Sequence, residues 1–351
     1  MREVYRPVMT ASPEEIDDAD ADAGDLALRF SVDARHAGTR LDKALAELMP
    51  DVSRSRLQQW VADAAVRVNG ALVRQRHELV LGDLIEIEPQ PAPDAKAYTP
   101  EPIPLVIVHE DDDILVVDKP PGLVVHPAAG HWSGTLLNGL LAHSPRLADV
   151  PRAGIVHRLD ADTSGLMVVA KTLAAQAHLV RQLQERSVTR EYWALVLGAP
   201  APAGRVEAPI GRDPRNPLRF RVSHAASAKP ARTRFALIAS AQDGTARLAW
   251  IACRLDTGRT HQIRVHMEHI GHPLIGDPVY RRGLPGREGD PRGWRGFARQ
   301  ALHASRLGLI HPANGRALTW FRAPPSDLAA LMVQLGFGPL DVPARVFEER
   351  R

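Results

Sequence analysis

Two stretches of this chain gather side chains able to move protons, attack carbon or hold a polyanion. The first, His157-Arg158-Leu159-Asp160-Ala161-Asp162-Thr163-Ser164-Gly165-Leu166, offers two carboxylates, an imidazole, a guanidinium and two hydroxyls within eight residues. A plain hairpin turn would be served by Asn-Gly or Asp-Gly and has no use for such a set. Asp160 and Asp162 can cap a turn through local side chain to backbone hydrogen bonds. A glycosidase pair instead needs carboxyls about 5–10 Å apart on opposite sides of a sugar, which residues i and i+2 of one turn rarely achieve. The second stretch is Thr257-Gly258-Arg259-Thr260-His261-Gln262-Ile263-Arg264-Val265-His266, with His269 and His272 beyond it. Four histidines invite a metal, but no His-x-x-x-His or Glu-paired zinc spacing is present. Arg259 and Arg264 would also repel a cation, and the single cysteine, Cys253, lies on the preceding strand. No metal site is expected.

The elements around these stretches must hold them rigidly. Ile155-Val156 and Leu166–Ala170 are apolar and rich in branched side chains, so they read as buried strands with the first motif as the turn between them. Leu173–Glu185 reads as a helix with Ala177, Val180 and Leu183 inward, and Val188–Val196 as a strand. Strand alternation puts Tyr192 and Trp193 on opposite faces, with Trp193 in the core. Cys253, within Leu248–Cys253, reads as a small core residue of another strand. Leu105–Val108 and Ile114–Val117 are strands joined by the acidic turn Glu110–Asp113, and Arg299–Ala304 adds one more. Leu328, Leu331 and Leu335 line a final helix. Residues 205–234 carry eight basic residues against Glu207 and Asp213, broken by prolines, and read as a loop-rich basic surface. Strands outnumber helices without regular alternation, which predicts an α+β fold with a mixed, mainly antiparallel sheet.

The N-terminal part is organised differently. Residues 1–26 hold eight acids against Arg2 and Arg6, a net of −6, so a whole-chain charge of +3 leaves +9 on the rest. That one-sign, apolar-poor segment reads as a disordered tail, and the basic body implies a polyanionic partner. Residues 27–88 read as a small αα-β module. Leu41, Leu45 and Leu48 share one helical face, and Ser53 caps a second helix that turns Leu57, Trp60, Val61 and Ala64 inward. Val66–Val68 then enters an Asn69-Gly70 hairpin turn, and Gly82–Ile87 closes the module. Arg54, Arg56, Arg67, Arg74 and Arg76 stand against one acid, Asp63, which favours a phosphate-binding face. Prolines between 89 and 104 read as a stiff linker to a catalytic domain at 105–351.

The first motif resembles the active-site signature of the pseudouridine synthases. Lys119-Pro120-Pro121-Gly122 with the loop to Asn138 is similar to an earlier motif of theirs, and Gly258–His266 with His272–Tyr280 to a later one. The arginine-bearing module, Ser53–Val61 followed by Val66–Gly70, resembles the S4 RNA-binding domain. Together these features resemble the RluA-type ribosomal large-subunit synthases in the branch that carries an S4 domain. The resemblance covers about residues 39–335. It implies Asp160 as the catalytic residue, Arg264 as its partner, Tyr192 as the ring that supports the flipped base, and Arg158 as the side chain that fills the vacated stack. Trp132 stands where the family has a small or polar residue, so no role passes to it.

The implied reaction breaks the uracil N1 to ribose C1′ bond, turns the base and rejoins it through C5. Asp160 would act by attack at C1′ or by promoting deprotonation at C2′. The base must leave its stack to be reached. Asp162 is expected to be a turn residue and His157 structural. The chemistry needs no cofactor, in keeping with a sequence that lacks Gly-rich nucleotide loops. The expected partner is large-subunit ribosomal RNA, at the hairpin loop of the subunit interface, with transfer RNA or another rRNA site as alternatives. Two other classes compete: a non-catalytic S4-bearing assembly factor, for which Asp160, Tyr192 and Arg264 together would be superfluous, and a nucleoside hydrolase using Asp160 and Asp162. No apolar run approaches the ~18–20 residues of a membrane span. The lack of a secretory signal and a single cysteine suit a cytoplasmic protein, expected to act as a monomer.

Overall fold

The computed structural model describes residues 28–50, 52–89, 97–128, 131–281, 293–338 and 346–347. The acidic tail read at 1–26 lies outside the described residues. Contacts divide the chain into two units, Met1–Ala92 and Pro93–Arg351.

In the first unit, β1 (Leu28–Ser31), β2 (Val66–Val68), β3 (Ala71–Leu72) and β4 (Leu84–Ile87) form an antiparallel sheet in the order β1-β4-β2-β3. It packs with α1 (Leu41–Leu48) and α2 (Arg54–Ala62), burying Leu41, Leu45, Leu57, Trp60 and Val61. Their spacing is that of one apolar stripe per helix. Helix α2 stops where Ala64 turns left-handed (φ 63°), so Ala64 is exposed and Ala65 takes the inward place read for it. Ser53 is the N-cap of α2 as expected, though its hydroxyl faces Ser55 Oγ at 3.2 Å rather than a backbone N–H. Asn69 and Gly70 both have positive φ (52° and 77°), the requirement of a two-residue primed hairpin turn. The Asn69 side chain then bridges to β4, accepting from Leu84 N and donating to Asp83, each at 2.8 Å.

The second unit is built on a large twisted sheet. Its strands are β5 (Val106–Glu110), β6 (Ile114–Lys119), β7 (Ser164–Ala170), β8 (Thr189–Leu197), β9 (Ala203–Glu207), β12 (Arg232–Asp243), β13 (Ala246–Leu255), β14 (Leu302–Ile310) and β15 (Ala317–Phe321). Among the described residues the order is β5-β6-β7-β14-β8-β13-β12-β9, with β15 beside β14. Only β7 and β14 run parallel; every other pair is antiparallel, so the sheet is mixed and mainly antiparallel as expected. One face buries Tyr192, Ala194, Ile251 and Cys253 beneath α3 (Leu136–His143) and α5 (Gln262–His269). The opposite face packs Trp193, Leu195 and Trp250 under α6 (Ser326–Gln334), and Val168 and Leu307 under α4 (Leu173–Gln184). Tyr192 and Trp193 therefore divide between the faces, and the Trp193 and Trp250 rings meet edge to face at 4.8 Å. Burial raises the Cys253 thiol pKa, so the residue is an inert core side chain.

Four local readings are corrected. Ile155 makes a single bridge to Val169, so the first motif leaves a loop, not a strand, before entering β7. The buried face of α4 is Ala175, Leu179 and Gln182; of the residues read as inward, Leu183 packs half-buried against the same core, while Ala177 is exposed and Val180 half-buried. Gln182 is drawn in because its amide satisfies both the N–H and the C=O of Ile310. Residues 205–234 are largely strand: besides β9 and the start of β12, β10 (Ile210–Asp213) and β11 (Asn216–Val222) form a two-stranded sheet. Finally, residues 97–103, read as linker, dock on α3 of the second unit. Asn138 Nδ2 donates to Thr99 O (2.8 Å), Glu101 N to Asn138 O (3.0 Å), and Ile103 packs against Gly139. Prolines stiffen that extended stretch, and it still offers the carbonyls this helix start needs.

Candidate active site

The loop 157–163 hangs between α3's side of the sheet and the start of β7, and separate elements fix it. Lys119, at the end of β6, is buried and donates to three carbonyls: Pro120 (2.7 Å), Leu123 (2.9 Å) and Ala161 (2.6 Å). Gly122 N donates to the same Ala161 oxygen at 3.0 Å. From the segment leading into β14, Arg299 donates to Asp162 O (3.1 Å), and Gln300 Nε2 donates to Thr163 Oγ1 (3.2 Å). Ser164 Oγ meets His303 Nδ1 at 3.0 Å. Gly165 has φ 115°, and a Cβ there would lie 2.3 Å from Ala304 O, so only glycine admits the parallel approach of β14. Burial pulls the Lys119 pKa down to about 7, despite Asp162 and Asp160 nearby.

These anchors present Asp160 to Arg264. Arg264 Nη1 lies 3.0 Å from Asp160 Oδ2, while its other edge grips Asp277 through Nε (2.6 Å) and Nη2 (2.9 Å). The Tyr280 ring lies under the guanidinium, 5.0 Å away. Asp277 is itself buried and accepts Val279 N and Tyr280 N at 2.8 and 2.9 Å. Burial works against the charge of Arg264, but Asp277 and then Asp160 outweigh it and hold its pKa above the ordinary value. A guanidinium clamped on two sides cannot swing, so Asp160 is fixed in direction and faces a fixed cation.

His261 completes the ring of groups. It precedes α5 in a left-handed conformation (φ 55°, ψ 23°), a strained setting for a side chain. Tyr280 Oη accepts Phe220 N (3.0 Å), which leaves its proton for His261 Nδ1 at 2.9 Å. His261 Nε2 then faces Asp160 Oδ1 at 4.0 Å. Burial lowers the His261 pKa, so the ring is neutral.

Asp160, Arg158, Tyr192 and Arg264 all line one depression, which runs into an open cleft of about 490 Å³ shared by Asp160, Arg158, Tyr192 and His157. Tyr192 is 5 % exposed and burial raises its pKa, so it offers a neutral ring. Arg158 is exposed at the rim. Asp162 contributes its carbonyl to the loop anchor, as fits a turn residue, and His157 Nε2 accepts Val168 N at 3.1 Å. Lys119, Asp277 and Tyr280 have no role assigned from sequence, and His261 enters there only as one of four histidines weighed for a metal. Their signal was present, since each stands in a motif string, but their partners are set only by folding.

The arginines of the first unit are placed separately. Arg54, Arg67, Arg74 and Arg76 are exposed, and Arg56 lies over the Trp60 ring at 5.3 Å. Gln75 Nε2 donates to Gln58 O (3.1 Å), tying the loop that bears Arg74 and Arg76 to α2. Arg67 sits on β2, on the solvent side of the sheet.

Residues 113–269 match the RNA pseudouridylate synthase family, and residues 39–85 match the S4 domain. The chain is 48% identical over 314 residues to the ribosomal large subunit pseudouridine synthase D of Yersinia pestis, covering 87% of this chain and 93% of that one. The protein of the same name from Escherichia coli K12 is 46% identical with the same coverage. Among solved structures, human RNA pseudouridylate synthase domain containing 1 is similar with a TM-score of 0.50 and 27% identity, covering 68% of this chain and 87% of that one.

Proposed function

The chain belongs to the RNA pseudouridylate synthase family, and we propose from that premise that it converts uridines of large-subunit ribosomal RNA to pseudouridine, with Asp160 as the catalytic residue. The observation that carries the assignment of Asp160 is its 3.0 Å contact with Arg264, inside a depression that Tyr192 also lines. Arg264 occupies Oδ2, so Asp160 works through Oδ1. Both routes open to it, attack at C1′ and removal of the C2′ proton, need an ionised carboxylate beside a fixed counter-charge.

The step conserves atoms. The N1–C1′ bond breaks with its electron pair on the uracil, the base turns within the cleft, and C5 bonds to C1′. The C5 proton is lost and N1 regains one. Tyr192 supports the turning ring with its face, and Arg158 at the rim takes the space that the flipped base leaves in the RNA. Arg54, Arg56, Arg67, Arg74 and Arg76, within residues 27–88, hold RNA by its phosphates and carry no sequence information themselves. Residues 105–351 carry the chemistry. The protein acts as a monomer in the cytoplasm, on the hairpin loop at the subunit interface.

The test is to incubate the protein with unmodified large-subunit rRNA and map pseudouridine at nucleotide resolution. Conversion within the interface hairpin supports the whole reading. Conversion only in transfer RNA or elsewhere in rRNA would keep the activity and replace the substrate.

A further inference from the structure

Arg190 is the one buried arginine of the cleft, and no acid answers its charge among the described residues. It stands two residues before Tyr192 on β8, so strand alternation points both at the same side of the sheet, and both line the open cleft. Its residue is 9 % exposed, its Nε is shut off from water without a partner, its terminal nitrogens stay open to the cleft, and its side chain makes no hydrogen bond or ion pair among the described residues. The two carboxylates that line the cleft are engaged elsewhere, Asp160 by Arg264 and Asp256 by Arg234 (2.7 Å). A guanidinium whose terminal nitrogens reach the cleft without a counter-charge is answered when a ligand brings an anion.

A second orphan donor stands beside it. His157 Nε2 accepts Val168 N, so its proton must sit on Nδ1, and Nδ1 is also closed to water with no partner. Burial, and then Arg190 itself, drive the His157 pKa down to about 3, so the ring is a neutral donor. The glycine opposite fits the same picture. Gly258 does not have the positive φ that would demand glycine, yet a Cβ there would lie 2.9 Å from Arg190 Nη1. Gly258 thus leaves the guanidinium its place. Arg152, Arg186 and Arg259 stand exposed on the walls of the same cleft.

We propose that Arg190, through the terminal nitrogens that reach the cleft, seats a phosphodiester of the RNA strand beside the nucleotide that enters the cleft. This rests on the pseudouridine synthase reading and deepens it: the uridine is located by its backbone as well as by its ring. A phosphodiester brings a full negative charge at the moment of binding, which is what the unpaired guanidinium lacks. A uracil ring arrives neutral and would leave the buried cation unanswered in the ground state. The exposed arginines continue the cationic track along which flanking phosphates would lie.

The experiment uses the full chain, wild type and Arg190→Gln, Arg190→Lys and Gly258→Ala variants, with a large-subunit rRNA fragment that the wild type modifies. Arg190→Gln is expected to weaken binding roughly ten- to hundredfold at low salt, the range of a hydrogen bond to a charged group. The salt dependence of binding should lose about one phosphate's worth of slope. Arg190→Lys should restore the slope, and Gly258→Ala, by displacing Nη1, should weaken binding in the same direction by less. The RNA-free Arg190→Gln protein should melt no lower than wild type, because the side chain has no partner in the free protein to lose. An unchanged affinity and slope with a reduced kcat would overturn the proposal and move Arg190 onto the departing uracil. A lower melting temperature with an unchanged slope would overturn it in favour of a packing role. If the wild type instead modified no rRNA, the functional reading itself would fail, a result separate from either.

Discussion

The arginines of the first unit and those around Asp160 are the same side chain put to opposite uses. Arg54, Arg67, Arg74 and Arg76 stand in water, where a charge is cheap to keep, weakly directed and screened by salt. Arg264 has a side chain only 5 % exposed and is held by Asp160 and Asp277 together, with Tyr280 beneath it. Exposed arginines act by number and are nearly interchangeable. A buried one acts through its individual partners, and replacing it changes the charge balance of every group it touches. Binding in the first unit should therefore degrade gradually, while chemistry in the second should fail outright.

The largest effect is expected at the reacting carboxylate. Asp160→Asn keeps the shape and removes the charge, so pseudouridine formation should be abolished while RNA binding survives in a gel-shift or anisotropy assay. Asp162→Asn should retain substantial activity, since the protein uses the Asp162 carbonyl as an anchor for Arg299. An Asp162→Asn enzyme as inactive as Asp160→Asn would bring back the paired-carboxylate reading.

Next comes the clamp. Arg264→Leu leaves Asp277 buried without a cation, a change that costs about 3–5 kcal/mol in comparable buried pairs, and it also strips Asp160 of its counter-charge. A urea midpoint well below wild type and a loss of turnover should appear together. The double variant Arg264→Leu, Asp277→Leu should recover much of the stability and none of the activity. Recovery of both would mean that Arg264 serves folding alone.

The same contrast explains what could be read in advance. Asp160, Tyr192 and Arg264 were legible through the resemblance of their motif strings to the synthases, and folding brings all three to one depression, while the alternation of β8 separates Tyr192 from Trp193. The two-residue turn at Asn69-Gly70 was legible because few sequences accept two positive φ values. What stayed hidden depends on distance along the chain. Asp277 is 13 residues from Arg264 and Asp160 is 104, and nothing local says that one guanidinium serves both. The inward face of α4 was misread because Gln182, a polar residue, is buried by its bonds to Ile310. The arginine-rich stretch at 205–234 looked like loop because charge hides strand alternation. Residues 97–103 looked like linker because prolines say nothing of what lies against them.

Lys119 gives a smaller effect whose sign is distinctive. Burial, against the pull of Asp162 and Asp160, sets its folded pKa near about 7, while an unfolded lysine titrates near the ordinary value of 10.5. Below pH 7 both states hold the proton; between about 7 and 10.5 only the unfolded chain does, so stability should rise with pH in that window. Turnover should move the other way. Three carbonyls need the three N–H bonds of an ammonium, and a neutral amine has two, so the anchor on Ala161 loosens as the proton leaves. Lys119→Met should remove both trends, with lower turnover at every pH. Denaturation and rate profiles from pH 6 to 9 that run parallel in wild type would break this account.

The smallest steps belong to the first unit, and they test whether its arginines act by number. Replacing Arg54, Arg67, Arg74 or Arg76 singly by Gln should weaken binding of rRNA only severalfold at low salt. Each removed phosphate contact should reduce the slope of log affinity against log salt by roughly 0.9 or less, the duplex value being the upper bound. The losses should add, because exposed charges with no shared partner are close to independent. None of these variants should change kcat at saturating RNA, since the contacts hold the strand without touching the reacting atoms. Arg56, lying over Trp60, should deviate from this series, because its removal also strips packing from α2. A variant with Arg54, Arg67, Arg74 and Arg76 all replaced, yet with the affinity and salt slope of wild type, would show that this face is solvated charge and that the RNA is held elsewhere.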